Sequence, residues 1–366
     1  MASVPTCAPY SDDDEYTADT NSTTPDRESC DSIDTPPSED QKPTDENDHR
    51  AGHLHIATQQ DKQVATADVE EPSTSSSPPG STSSLSPTTS MPFTVTKSKI
   101  RLNITSDTTC PWCFIAKRRI TKAIDMFYAL ATPENDTRKV RFDIHWYPYQ
   151  LDPQAPALPI PKKNLYTRKF GPERAILVKD RIVQIGKAEG ITFVSADSGL
   201  YCSTLDSHRL IRYARERLGR KLFGEPLASD SNDNDSEDED AIDEFGNRME
   251  DAMVDELFQS HFERGECGDL PTLKLCTRNV LLQLAAEHEA IPGNASIDRD
   301  ELENEVAVTE QYLATDEDLQ EIKDEIRWIK QQLEIQGVPT IVVQNMYLLP
   351  GGQEATTFLE IFKRVV

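Results

Sequence analysis

Cys110-Pro111-Trp112-Cys113 is the one place in this sequence where two cysteines stand close enough to act together. Two thiols three residues apart can close a disulfide across the first turn of a helix. The flanking residues predict that turn. KIRLNIT, Lys99 to Thr105, alternates so that Ile100, Leu102 and Ile104 share a face, as in a strand. It ends at SDTTCPWC, and a helix is expected from about Cys113 to Leu130, with Ile115, Ile120, Ile124 and Phe127 on its apolar side. Cys110 then sits between strand and helix, where unpaired N–H groups and the helix dipole stabilise a thiolate. Pro111 suits the first turn, because its missing N–H needs no partner there. Disulfide exchange proceeds by thiolate attack on sulfur. Cys110 is therefore expected as the exposed nucleophile, and Cys113, one turn in, as the shielded resolving thiol. A structural zinc site wants four ligands, commonly two such pairs. Cys202, Cys267 and Cys276 offer no matching spacing, so no metal is expected.

A second strand is predicted at VRFDIHWYPYQL, Val140 to Leu151, where Phe142, Ile144 and Trp146 alternate. The helix between the two strands acts as a crossover, so they should pair in parallel. Residues 152 to 164 read as an extended, proline-rich connection. Helical patterns follow at Ile182 to Glu189, at SHRLIRYARERLG, at MEDAMVDELFQSHFERG and within Leu273 to Ala290. Leu319, Ile322, Ile326, Ile329 and Leu333 repeat at helical spacing. TIVVQ and NMYLL then form a hairpin, and EATTFLEIFKRV a final helix. Three or four strands cannot bury so many apolar side chains, so the helices must form a subdomain beside the sheet. Residues 291 to 318 look longer than this plan needs.

The formal net charge is −26. Residues 1 to 92 hold 18 acidic and 4 basic side chains and 11 of the 24 prolines. Such a segment cannot offset the entropy of ordering its backbone, about 1–2 kcal/mol per residue. Residues 1–96 are expected to be a disordered acidic Ser/Thr/Pro-rich tail. Nine further acids cluster in the loop 229–244, and without them the rest of the chain is near −3. No basic stripe is left to meet phosphates, which argues against nucleic acid. The acidic segments could meet a basic partner, but a solvated loop is the simpler reading. The seven scattered cysteines do not form a secreted framework. No run approaches the roughly 18 apolar residues of a membrane helix, and no signal-peptide pattern opens the chain. A soluble protein is expected, most simply cytoplasmic; nothing in the sequence speaks against the nucleus.

SDTTCPWCFIAKRRI, STLDSHRLIRYA, ELFQSHFERG and GVPTIVVQNMYLLPGGQ, in this order, resemble the DsbA family, specifically its FrnE-like cytosolic branch. The resemblance implies an α/β fold: a thioredoxin fold with a large inserted all-helical subdomain. Residues 97–366 would be the DsbA-like domain, with 97–151 and 337–366 as its thioredoxin-like part and 165–335 as the helical insertion. It further implies a dithiol oxidant or disulfide isomerase, with Cys110 attacking and Cys113 resolving. Pro339 matches the family's cis-proline. By itself, a proline at a strand entry has an ordinary explanation. In the thioredoxin pattern, a cis bond before Pro339 would turn the Val338 backbone toward Cys110, where it could pair with an extended substrate. Trp112, Val338 and Pro339 are thus the candidate substrate-binding residues, and Pro111 and His208 the accessory candidates. His208 matches a histidine recurring in this branch and is read first as structural. The acidic loop, the tail and LLPGGQ depart from the family pattern.

The expected partner is a protein or small molecule bearing a thiol or disulfide. No cofactor is expected to be tightly bound, with glutathione as a redox partner or cosubstrate. Two other functions compete. Kappa-class glutathione transferases and chromene-carboxylate isomerases have a similar architecture but use a serine where this chain has Cys110. A non-enzymatic chaperone or scaffold could use the helical part. His145, His261 and His288 lack metal-ligand spacing, and glycine-rich phosphate loops are absent. Trp146, Tyr147 and Tyr149 fit a pocket or a core equally well.

Overall fold

The computed structural model describes residues 95–163, 165–194, 197–224 and 243–366. The expected acidic tail, apart from its last two residues, lies outside the described residues. So do Cys7, Cys30 and the acidic loop as far as residue 242.

The described part begins with β1 (Lys99–Ser106), crosses through α1 (Pro111–Tyr128) and returns as β2 (Arg141–Pro148). A two-residue strand β3 (Ile160–Pro161), α2 (Leu165–Phe170), α3 (Pro172–Ala188) and β4 (Leu200–Tyr201) follow. The helical part continues with α4 (Leu205–Glu216), α5 (Arg220–Phe223), α6 (Glu244–Gln259), α7 (Leu270–Glu289), α8 (Arg299–Leu313) and α9 (Leu319–Gln331). The chain then re-enters the sheet as β5 (Thr340–Val343) and β6 (Tyr347–Pro350), and closes with α10 (Ala355–Val365). The sheet order is β2-β1-β5-β6, while β3 and β4 form a separate antiparallel pair. This is a thioredoxin-like α/β core with a large inserted all-helical subdomain.

β1 is central. It pairs in parallel with β2, Ile104 opposite Trp146, and antiparallel with β5, Ile104 opposite Ile341. The alternation in KIRLNIT puts Ile100, Leu102 and Ile104 in the core, yet Asn103 and Thr105 on the other face are buried too. Asn103 meets that burial with a hydrogen bond to Asn345, 3.2 Å away in the β5–β6 turn. Gln344 and Asn345 make this turn with positive φ, the conformation that a tight antiparallel hairpin requires.

The helical part differs from the sequence reading in several places. α3 starts ten residues earlier than the expected Ile182. Its first turns carry Ile176 and Leu177 on the surface and bury little beyond Ala175, so apolar spacing gave no signal there. The stretch that looked superfluous contains α8, whose Leu302, Val306, Thr309 and Leu313 pack inward, against α7 among others. Asp298 caps its start by accepting the Asp300 N–H at 3.0 Å. At its end, the buried guanidinium of Arg209 on α4 donates to the carbonyls of Tyr312, Leu313, Thr315 and Glu317 at 2.7–3.3 Å. The Tyr312 and Leu313 carbonyls are among the groups a helix end leaves unpaired, and those of Thr315 and Glu317 belong to the loop that follows. Finally, the last two acids of the expected acidic loop belong to α6: Asp243 is its N-cap, accepting the Gly246 N–H at 2.7 Å, and Glu244 is its first residue.

One buried ion cluster joins sheet to subdomain. Glu250 of α6 is 1% exposed. Its carboxylate accepts from Arg215 at 2.6 Å, from the Trp146 N–H of β2 at 3.1 Å and from His145 at 3.3 Å. Burial opposes its charge, but His145, Arg215 and the Trp146 N–H together outweigh it and hold the carboxyl below its ordinary range.

Candidate active site

Cys110 is the N-cap of α1, with extended backbone (φ −93°, ψ 112°), and Pro111 opens the helix. The Cys113 N–H donates to the Cys110 carbonyl at 3.0 Å, closing the first turn and bringing the two side chains together. Cys113 is fully buried, and its thiol lies within hydrogen-bonding reach of Cys110 Sγ. Burial first, then the hydrogen bond to Cys110 and its charge, push the Cys113 thiol well above its ordinary pKa; Ser106 and the Asp107 backbone oppose this weakly. Cys113 therefore holds its proton at neutral pH and directs it at Cys110.

The peptide bond from Val338 to Pro339 is cis. Cys110 Sγ lies 3.6 Å from the Val338 carbonyl oxygen. This packing corrects one expectation: Cys110 is buried, at 3% exposure, rather than exposed. Trp112 remains half-buried at the edge of the site. The turn after β6 packs behind it, since a side chain at Gly352 would come within 3.3 Å of the Trp112 carbonyl. Arg119 of α1 fixes that turn. It donates to the Gly352 carbonyl at 2.7 Å and pairs with Glu189 and Glu354 at 2.7 Å each. Gly352 thus lets the chain lie directly on the start of α1, while Gly351 turns it there with φ +74°.

Two residues near the thiols escaped the sequence reading. Tyr166 of α2 lies close enough to Cys110 to feel its charge; burial foremost, and that charge second, raise its phenol to about 12. Asp107 is 1% exposed. Its carboxylate accepts the Leu151 N–H at 2.7 Å and the Thr109 N–H and hydroxyl at 3.1 Å, and its carbonyl accepts the Cys110 N–H at 2.9 Å. It braces the loop that presents Cys110. The sequence signal was only an Asp three residues before the first cysteine, which any loop could carry.

His208 is buried and donates from Nε2 to the Tyr149 carbonyl at 2.9 Å. It touches neither thiol here and stitches α4 to the segment after β2. Tyr147 and Tyr149 pack with Ile329 and Ile335, and Trp146 packs edge-on against Phe258 at 6.4 Å between ring centres. The three aromatics serve the core. Among the described residues, no cluster of His, Cys, Asp or Glu could hold a metal ion, and no helix is long and apolar enough to cross a membrane.

His208 and His261 give the fold a pH dependence. Burial holds both imidazoles below the ordinary 6.5, against the opposing charge of Asp107 for His208 and aided by Lys162 for His261. Unfolded chains bind these protons first, so the stability is complete above pH 6.5 and declines as pH falls toward the folded values. The loss per histidine is at most about 1.4 kcal/mol per pH unit. Urea midpoints should fall between pH 7 and pH 5, and His261→Gln should flatten that slope.

Residues 101–246 match the DSBA-like thioredoxin domain. That stretch runs from β1 through both cysteines into α6, so the match includes the strand–CPWC–helix unit. At the level of that family, fold and paired cysteines support thiol–disulfide exchange. No curated protein matches the sequence. Among solved structures, a probable DsbA oxidoreductase from Streptomyces coelicolor is 24% identical, with a TM-score of 0.45, covering 72% of this chain and 89% of that one. A 2-hydroxychromene-2-carboxylate isomerase is 12% identical, with a TM-score of 0.41, covering 72% and 95%. The cytosolic disulfide reductase DsbM of Pseudomonas aeruginosa, in a structure with GSH, is 13% identical, with a TM-score of 0.39, covering 72% and 98%.

Proposed function

We propose that this protein is a thiol–disulfide oxidoreductase of the FrnE-like branch, exchanging disulfides through Cys110 and Cys113. The observation that carries this reading is Cys110 Sγ at the amino end of α1, flanked by the Cys113 thiol and the Val338 carbonyl. Residues 97–151 and 337–366 supply these groups, and residues 165–335 are read as the helical insertion that borders them.

In the reducing direction, the Cys110 thiolate attacks a substrate disulfide. A mixed disulfide forms on Cys110 and one substrate thiolate leaves. Cys113 loses its proton, attacks Cys110 Sγ and releases the second substrate thiol. The oxidising direction runs the same steps backward, beginning with a substrate thiolate attacking Cys110. Negative charge on Cys110 is met by the helix dipole and by the Cys113 thiol proton. The Val338 backbone is placed to pair with an extended substrate beside the sulfur, and Trp112 offers it an apolar edge. Glutathione serves in this reading as a diffusible redox partner, and the site belongs to a cytoplasmic protein.

Keeping both cysteines favours dithiol chemistry over glutathione transfer. A Cys113→Ser protein tests this. It should accumulate a mixed disulfide with a disulfide-bearing protein substrate or with oxidised glutathione, mapped to Cys110, while the wild type clears it. Adducts formed equally by both proteins would sink the resolving role of Cys113.

A further inference from the structure

Sequence spacing gave Cys202 and Cys267 no partner, yet the fold brings them together across 65 residues. Their thiols lie close enough to act on one another, and both cysteines are buried and unbridged. The contact comes from two glycine-rich segments lying side by side. The Leu200 N–H donates to the Gly265 carbonyl at 2.8 Å. A side chain at Gly199 would collide with the Gly265 backbone, and one at Gly268 with the Ser207 hydroxyl. At Gly199, with φ +85° and the Gly265 backbone in the way, only glycine allows the approach, and the two segments hold Cys202 against Cys267.

The surroundings of the pair are polar and asymmetric. Cys202 Sγ lies 3.6 Å from the Ser203 carbonyl oxygen. Cys267 has the Asp269 backbone N–H and the buried Lys162 ammonium nearby. Lys162 donates to the His261 carbonyl at 3.1 Å. The Cys202 thiol, first of all, with backbone and Lys162 assisting, lowers Cys267 below an ordinary thiol, whereas the neighbouring Cys267 and burial raise Cys202. Cys267 also lines a small cavity with Thr108, Thr109, Thr204, Ser207 and Ser260. The cavity has room for about one water-sized molecule. Its hydroxyls can hydrogen-bond a small hydroxylic oxidant and the hydroxide it leaves, but a peptide does not fit.

We propose that Cys202 and Cys267 form a second dithiol couple, separate from Cys110–Cys113, which hydrogen peroxide closes to a disulfide through a sulfenic acid on Cys267. The Cys267 thiolate attacks one peroxide oxygen. The O–O bond breaks, an S–O bond forms, and the departing oxygen takes a proton and leaves as water. Cys202 sulfur then attacks Cys267 Sγ. The S–O bond breaks, the S–S bond forms, and the Cys202 proton leaves with the hydroxide as a second water. Two electrons pass from the two sulfurs to the peroxide.

The test uses the full chain carrying Cys110→Ser and Cys113→Ser, so that the CPWC pair contributes nothing. Reduced protein is treated with hydrogen peroxide, alkylated and digested without reductant. The proposal predicts loss of two thiols per chain, a peptide linking Cys202 to Cys267, and Cys276 still alkylated. Adding Cys202→Ser should leave a sulfenic acid on Cys267 that dimedone captures. If that variant fails to fold, the peptide map of wild-type protein decides instead. Full alkylation of Cys202 and Cys267 after treatment, or links only to other cysteines, would overturn the proposal.

Discussion

Cys110→Ser should abolish disulfide exchange, lowering the rate by at least about three orders of magnitude, while leaving the fold intact. Serine occupies the same N-cap position and is a better cap than cysteine, so thermal stability should hold or rise slightly. What disappears is the sulfur that can carry both a negative charge and a disulfide. Cys113→Ser acts differently. The hydroxyl can still hydrogen-bond Cys110, so the first attack survives, but nothing resolves the adduct. A rate assay on a small disulfide, read beside mass spectrometry of the protein, separates the two variants. Equal residual turnover in both would mean that exchange occurs at some other thiol, and Cys202 and Cys267 would then be the first to examine.

The largest effect on stability is expected at Glu250. Glu250→Ala leaves the Arg215 guanidinium without its 2.6 Å partner and the buried Trp146 N–H without an acceptor. Removing one member of a buried pair costs about 3–5 kcal/mol. Arg215 keeps 22% of its side chain exposed, which places the loss near the lower end. A drop of about 3 kcal/mol corresponds to about 6–12 °C in Tm. Glu250→Gln keeps an acceptor for Trp146 and should lose less. Because the Glu250 carboxyl is held below the ordinary 4.5, its contribution is complete above that pH and fades only as pH falls through the depressed value. This loss sets in near pH 4.5, whereas that of His208 and His261 sets in near 6.5, so a pH series separates the two onsets. A Glu250→Ala protein with unchanged Tm would show that sheet and subdomain are joined without this cluster.

The outline of the fold was legible because its signals are periodic or local. β1 alternates, α9 repeats at three and four residues, and the CPWC motif lies between a strand and a helix. The hairpin β5–β6 was readable from TIVVQ and NMYLL on either side of a short turn. What escaped depends on contacts between distant residues. Glu250 looks like any helical glutamate until Arg215 and Trp146 arrive from 35 and 104 residues away. Tyr166 sits on a six-residue helix with no fully buried residue, too short to show a period. Cys202 and Cys267 meet because Gly199 and Gly265 let two backbones touch, and no spacing rule encodes that. α8 is the exception: Leu302, Val306, Thr309 and Leu313 carry a helical period, and Asp298 marks its start. The burial of Cys110 was missed for a further reason. Helix-start chemistry says where a thiolate is stabilised, and the Val338–Pro339 segment that packs against the sulfur comes from the far end of the chain.

The most direct measurement is a redox titration of the full chain in glutathione buffers, with the thiol state of Cys110 and Cys113 read by alkylation and mass spectrometry. The account predicts one reversible two-electron couple joining these two residues, absent from Cys110→Ser. Its potential would give the direction: a value near the ~−120 mV of DsbA marks an oxidant, one near the ~−270 mV of thioredoxin a reductant. A stable single glutathione adduct on Cys110, with Cys113 remaining a free thiol at every buffer ratio, would contradict the dithiol mechanism and leave glutathione transfer as the reading of this site.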